Sequence, residues 1–148
     1  MRYFTPEEFR GQYDLLDEEL KTVIDEFRHL WGDAVTVSPA PGSIGREYGR
    51  GFHNYAKHGT IKAIDLMPSN FNDHIDFKRA YEIAKQAGAR GIGIYPDWRP
   101  SAGIHLDVGR RPGRVKGYVA KWSGFRQLDG TQKFFSINKA FKERNVNN

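Results

Sequence analysis

The sequence predicts one α+β domain with two principal helices and a small, mainly antiparallel sheet. Three observations predict it. Apolar residues recur at three- and four-residue spacing in two stretches, 16–31 and 75–87. Short alternating or β-branched segments lie between and after them, at 34–38, 61–67, 91–95 and 103–108. Helix-type and strand-type segments follow in mixed order, without the regular alternation of a parallel α/β sheet. A chain of 148 residues fits a single domain spanning 1–148, and its 14% aromatic content is that of a folded chain.

Each element has a local cause. Thr5-Pro6-Glu7-Glu8 places a capping hydroxyl, a proline at the first helical position and a glutamate three after the cap, which predicts a short helix and then a turn at Gly11. Leu16, Leu20, Val23, Ile24, Phe27, Leu30 and Trp31 predict an amphipathic helix that Asp17 caps and Gly32 ends. A strand at 34–38 leads into a long loop over 39–59, broken by Pro39, Pro41, Gly42, Gly45, Gly49 and Gly51. A loop of that length in a compact domain is functional or disordered. The chain returns to a strand at 61–67.

Phe77, Ala80, Tyr81, Ala84 and Ala87 predict the second helix, capped by Asn72 or Asp73 and stopped by Gly88. The strands at 91–95 and 103–108 flank a hairpin-like connection rich in Pro and Trp. A further strand is expected at 115–122, an edge strand at 133–137, a short terminal helix at 138–144 and a frayed tail at 145–148.

With no cysteine, the chain has neither disulfides nor thiolate ligands, so a metal site must use His, Asp, Glu or a terminus. No run reaches the roughly 18 apolar residues of a membrane span, and the N-terminus lacks the apolar core of a signal peptide, which predicts cytoplasmic synthesis. A net charge of +5 favours polyanionic partners such as nucleic acid, teichoic acid or anionic cell wall.

The chemistry gathers on two strands. Alternation puts Ile104, Leu106 and Val108 on one face and His105 and Asp107 on the other. In 62–67 it puts Asp65 opposite Ile64 and Leu66, and an acid inside a strand asks for a cation, a donor or a metal. His58 stands seven residues before Asp65. Two imidazoles and a carboxylate would make a three-ligand Zn²⁺ site with an open fourth position, the form of a catalytic zinc. From spacing alone, a cross-strand pair of Asp65 and His105, with His58 in solvent, is the stronger reading. His53 lies near enough to compete with His58.

The stretch His58-Gly-Thr-Ile-Lys-Ala63-Ile-Asp65, followed by Gly91-Ile-Gly-Ile-Tyr95-Pro96 and then His105-Leu-Asp107, resembles the zinc D-Ala-D-Ala carboxypeptidases and L-alanyl-D-glutamate endopeptidases of the Hedgehog/DD-peptidase fold. The likeness covers 4–122, with 123–148 as a C-terminal extension, and Phe4-Thr-Pro-Glu-Glu-Phe9 with the helix to Trp31 also resembles phage and bacterial members. It implies His58, Asp65 and His105 as zinc ligands, Asp107 as a carboxylate that orients an imidazole, and peptidoglycan stem peptides as substrate. It also implies Arg46 or Arg50 as the group that holds a substrate carboxylate. Delivery to the cell wall or association with a phage particle would follow.

The pattern departs at three places. Catalytic members carry an acid three residues before the last His, where this chain has Ala102, a serine two before the first His, where it has Ala56, and a glycine three after it, where it has Ile61. Ser101, Asp97, Asp107 and Glu47 are the nearest replacements for the base, Asp97 foremost. The alternative to a peptidase is therefore a zinc-stabilised structural domain, such as a phage virion or tail component. Nucleic-acid binding, through Arg110, Arg111, Arg114, Lys116, Lys121 and Arg126 with Tyr118, Trp122 and Phe125, is the least favoured of the three.

Overall fold

The computed structural model describes residues 1–143. Its fold is α+β. Helix α1 (Glu18–Trp31) and helix α3 (His74–Ala87) are the two long helices. Between them lie strand β1 (Val35–Val37), the one-turn helix α2 (Tyr55–His58) and strand β2 (Ala63–Pro68). Strands β3 (Gly91–Tyr95), β4 (Gly103–Asp107), β5 (Ala120–Arg126) and β6 (Gln132–Phe135) follow.

The helix ends form where their capping chemistry lies. The Asp17 side chain accepts from Glu19 N–H, and Gly32 closes α1 in the left-handed region. Asp73 and Asp76 make a reciprocal capping box at the start of α3. Pro6–Phe9 forms a single 3-10 turn with the box expected from Thr5 and Glu8.

The six strands form one mixed sheet in the order β1-β2-β4-β3-β5-β6. Only the β3–β5 pairing is parallel, so the sheet is mainly antiparallel. One face is apolar: Ile64, Leu66, Ile92, Ile94, Ile104 and Leu106 are fully buried in a cluster with Leu20, Ile24 and Phe27 of α1 and Ala80 and Ala84 of α3. Each large side chain so buried contributes about 1.5–3 kcal/mol, which fixes the strand register because a one-residue slip would turn that set outward. The other face is free to carry polar groups.

Three expectations need adjustment. The 39–59 segment is not loop throughout, because Asn54 accepts from Lys57 N–H and starts the single turn of α2, too short to give a periodic signal. The strand expected at 115–122 begins at Ala120, since Tyr118 N–H closes a turn onto Val115 O and Gly117 has a φ of 81°. In place of a terminal helix at 138–144 there is a short 3-10 turn, Ile137–Lys139. Residue 144 and the tail expected at 145–148 lie outside the described residues. No helix among the described residues is long and apolar enough to cross a membrane.

Candidate metal centre

Register alone lines up the site. On the face opposite the apolar core, Asp65 of β2 pairs with His105 of β4, His105 with Gly93 of β3, and Gly93 with Trp122 of β5. Two residues along the strands, Asp107 lies between Ala63 and Gly91. The two glycines are needed for space. A Cβ on Gly93 would strike the Trp122 indole, and one on Gly91 would strike the Asp107 carboxylate.

The loop before α2 supplies a third group. Arg46 N–H donates to His53 O and Tyr55 N–H to Arg46 O, so a short bridge holds His53 over β2. Asp65 is anchored from the same loop, since its N–H donates to Ser43 O at 2.9 Å. His53, Asp65 and His105 thereby bring one ligating atom each to within 4.8 Å of one another. Such a cluster can hold a metal ion.

The hydrogen bonds assign the imidazole protons. The His53 Nδ1 lies 2.7 Å from Ile44 O, which can only accept, so Nδ1 donates there and Nε2 is the nitrogen that faces the cluster. The His105 Nε2 lies 2.8 Å from Asp107 Oδ2, which leaves Nδ1 to face inward. Both inward nitrogens stand 3.3 Å from Asp65 Oδ1. His53 Nε2 is buried and has no hydrogen-bond partner. Two imidazole nitrogens facing one carboxylate oxygen can share either protons or a metal ion with it.

In the metal-free state the cluster attracts a proton. Burial opposes a charged His105, but hydrogen bonds to Asp107 and Asp65 outweigh it and raise the imidazole pKa to about 9. Burial likewise opposes a charged Asp65, yet His105 and His53 hold its pKa down to about 2. Asp107 lies well below the usual carboxylate range, because His105 and Arg111 overcome its burial. Arg111 grips both its oxygens, at 2.8 and 3.0 Å. The order Arg111, Asp107, His105 thus fixes the ring orientation.

A cleft of about 530 Å³ opens over the cluster. Arg46, Tyr95, Trp98, Trp122, Gln132 and Phe134 complete its walls. Tyr95 stacks on Trp98 at 4.0 Å, Trp98 Nε1 donates to Gln132 Oε1, and Trp122 Nε1 donates to Tyr95 Oη. Burial raises the Tyr95 pKa to about 12 even against the Trp122 bond, so its hydroxyl stays protonated and can donate.

The structure redistributes the residues expected from sequence. Asp65 and His105 are in the cluster, while His58 is replaced there by His53. The turn of α2 carries His58 away, against the Phe52 ring at 4.9 Å, where its Nε2 is buried without a partner. Arg46 lines the cleft, with Nη2 3.9 Å from Asp65 Oδ2, and Arg50 is exposed outside it. Asp107 is fully buried, bonded to His105, Arg111 and Gly109 N–H, and does not line the cleft. Asp97 accepts from Arg126 N–H and, like Ser101 and Glu47, does not line the cleft. Glu47 accepts from the Tyr55 hydroxyl.

The aromatic wall escaped the sequence reading because Trp98, Trp122 and Phe134 come from three separate segments. The signal that could have found part of it is glycine alternating in Gly91-Ile-Gly, which marks bare positions on the polar face. Comparison with family models, with curated proteins and with solved structures returned no match.

Proposed function

We propose that this chain is a zinc peptidase-like domain whose cleft takes peptidoglycan stem peptides. The observation that carries the zinc reading is the buried Nε2 of His53 facing Asp65 beside the inward Nδ1 of His105. Zinc bonds of about 2.0–2.1 Å at the tetrahedral angle put neighbouring ligand atoms about 3.3 Å apart. Both nitrogens keep that separation from Asp65 Oδ1, at 3.3 Å. Two imidazoles and one carboxylate leave a fourth position for substrate or water, as in catalytic sites.

When bound, zinc supplies Lewis acidity toward a peptide carbonyl and makes water acidic enough to attack near neutral pH. The chain's own groups do the rest. Arg46 offers its guanidinium to a substrate carboxylate, Tyr95 offers a hydroxyl proton to developing negative charge, and the aromatic walls exclude water. The likeness to the peptidoglycan peptidases supports the substrate class at Asp65, His105 and the glycine-rich β3, and departs at His58. Incubation of purified sacculi with the zinc-loaded protein is expected to release new amino termini, and His105→Ala to abolish the release. No release by the wild type would remove the hydrolytic reading.

One observation favours a second reading. No carboxylate other than Asp65 lines the cleft among the described residues, and the usual base position is Ala102. A zinc-stabilised structural domain, such as a phage tail component, needs no base. It predicts that chelation lowers the melting temperature while no peptide is cleaved. A melting temperature unchanged by chelation would contradict it.

A further inference from the structure

The segment joining β4 to β5 forms a cavity of about 600 Å³, distinct in its lining from the metal cleft. Five cationic side chains line it: Arg90, Arg110, Arg111, Arg114 and Lys116. Two of them are already neutralised. Arg90 pairs with Glu19 at 2.6 Å, and Arg111 with the buried Asp107. Arg110, Arg114 and Lys116 are exposed and have no carboxylate partner among the described residues, and no acid lines the cavity. Five cations against two carboxylates leave three positive charges converging on one concave surface. Like charges so placed repel unless an anion joins them, and the cavity focuses their field.

The aromatic residues decide which anion. A nucleic acid held by its bases needs exposed rings in a row. Of the three rings near this basic segment in sequence, Trp122 is bonded to Tyr95 at the metal cleft and Phe125 is buried. Tyr118 alone is exposed, and the Arg114 guanidinium lies over its face at 4.9 Å. Phosphate groups can be gripped here, and bases cannot be stacked. Guanidinium forks match phosphate oxygens, and Val115, 79% exposed beside them, offers an apolar surface to the carbon linker between phosphates.

We propose that this cavity binds a linear phosphodiester polyanion without bases, of the poly(glycerol phosphate) kind, through Arg110, Arg114 and Lys116. The proposal is independent of the metal reading. Labelled poly(glycerol phosphate) and single-stranded DNA of equal charge would be titrated with the full chain between about 50 and 200 mM salt, a range over which phosphate contacts weaken strongly. The wild type is expected to bind the glycerol polymer more tightly than the DNA. Arg110→Gln, Arg114→Gln and Lys116→Gln together should weaken binding about tenfold or more at low salt and flatten the salt slope by roughly two. A charge-matched control, Lys57→Gln, Lys78→Gln and Lys142→Gln, removes exposed cations elsewhere and should keep most of the affinity. The proposal is overturned by unmeasurable wild-type binding, by equal losses in the two triple variants, or by tighter binding of DNA.

Discussion

His105 donates its Nε2 proton to Asp107 Oδ2 across 2.8 Å, and this bond turns Nδ1 toward Asp65. A carboxylate outside the ligand cluster thus decides which nitrogen can bind a metal. Asp107 is held in turn by Arg111, which anchors the arrangement below the cleft.

Asp107→Asn keeps the side-chain shape and removes the charge that fixes the tautomer. Metal affinity should fall about 10- to 100-fold, the usual effect of losing such a partner. Competition titration against a chromogenic chelator measures it. An unchanged affinity would show that the ring is oriented without Asp107.

Proton release should accompany metal binding. With a pKa of about 9, His105 in the metal-free fold is protonated at neutral pH, and a metal must displace that proton. Its folded pKa lies above the usual histidine value of about 6.5, so its stabilisation is full below that value and is lost as pH rises through about 9. Asp65 has the opposite sign: its contribution holds above the usual carboxylate value and is lost as pH falls toward about 2. Calorimetric titration in buffers of different ionisation enthalpy should show protons leaving, and apparent affinity should rise between about pH 6.5 and 9. Buffer-independent heats would contradict the protonated cluster.

Asp17 ties α1 to the approach to β2. It caps the helix through Glu19 N–H, accepts from Thr60 Oγ1 at 2.9 Å and pairs with Lys62 at 2.7 Å. Asp17→Ala should destabilise the fold by about 1–2 kcal/mol in urea unfolding, with Asp17→Asn costing less because the amide oxygen still caps. Burial disfavours the charged carboxylate, but its bonds to Lys62, Thr60 and Glu19 prevail and lower its pKa. Its contribution therefore holds at neutral pH and is lost on acidification. Equal stability of Asp17→Ala and wild type would show that the cap is dispensable.

Periodicity made the two long helices legible, and alternation made β2, β3 and β4 legible, because each buries one face against one core. The same alternation placed Asp65 and His105 each on the face of its own strand opposite the apolar residues, before any pairing was known. His53 was not legible in that way. Which histidine of a loop meets a sheet depends on where the loop turns, and here the turn is set by the Arg46–Asn54 bridge and the Asn54 cap, neither of which has a periodic signature. The wall formed by Trp98, Trp122 and Phe134 depends on the parallel β3–β5 pairing and the β6 return, both long-range contacts. Spacing carries no information about which distant strands become neighbours.

The most direct measurement is the zinc content of four proteins, wild type, His53→Ala, His58→Ala and His105→Ala, after zinc loading and exhaustive dialysis. Wild type and His58→Ala should each keep about one zinc per chain, and His53→Ala and His105→Ala should lose it. Zinc lost from His58→Ala and kept by His53→Ala, or none in the wild type, would contradict the site formed by His53, Asp65 and His105.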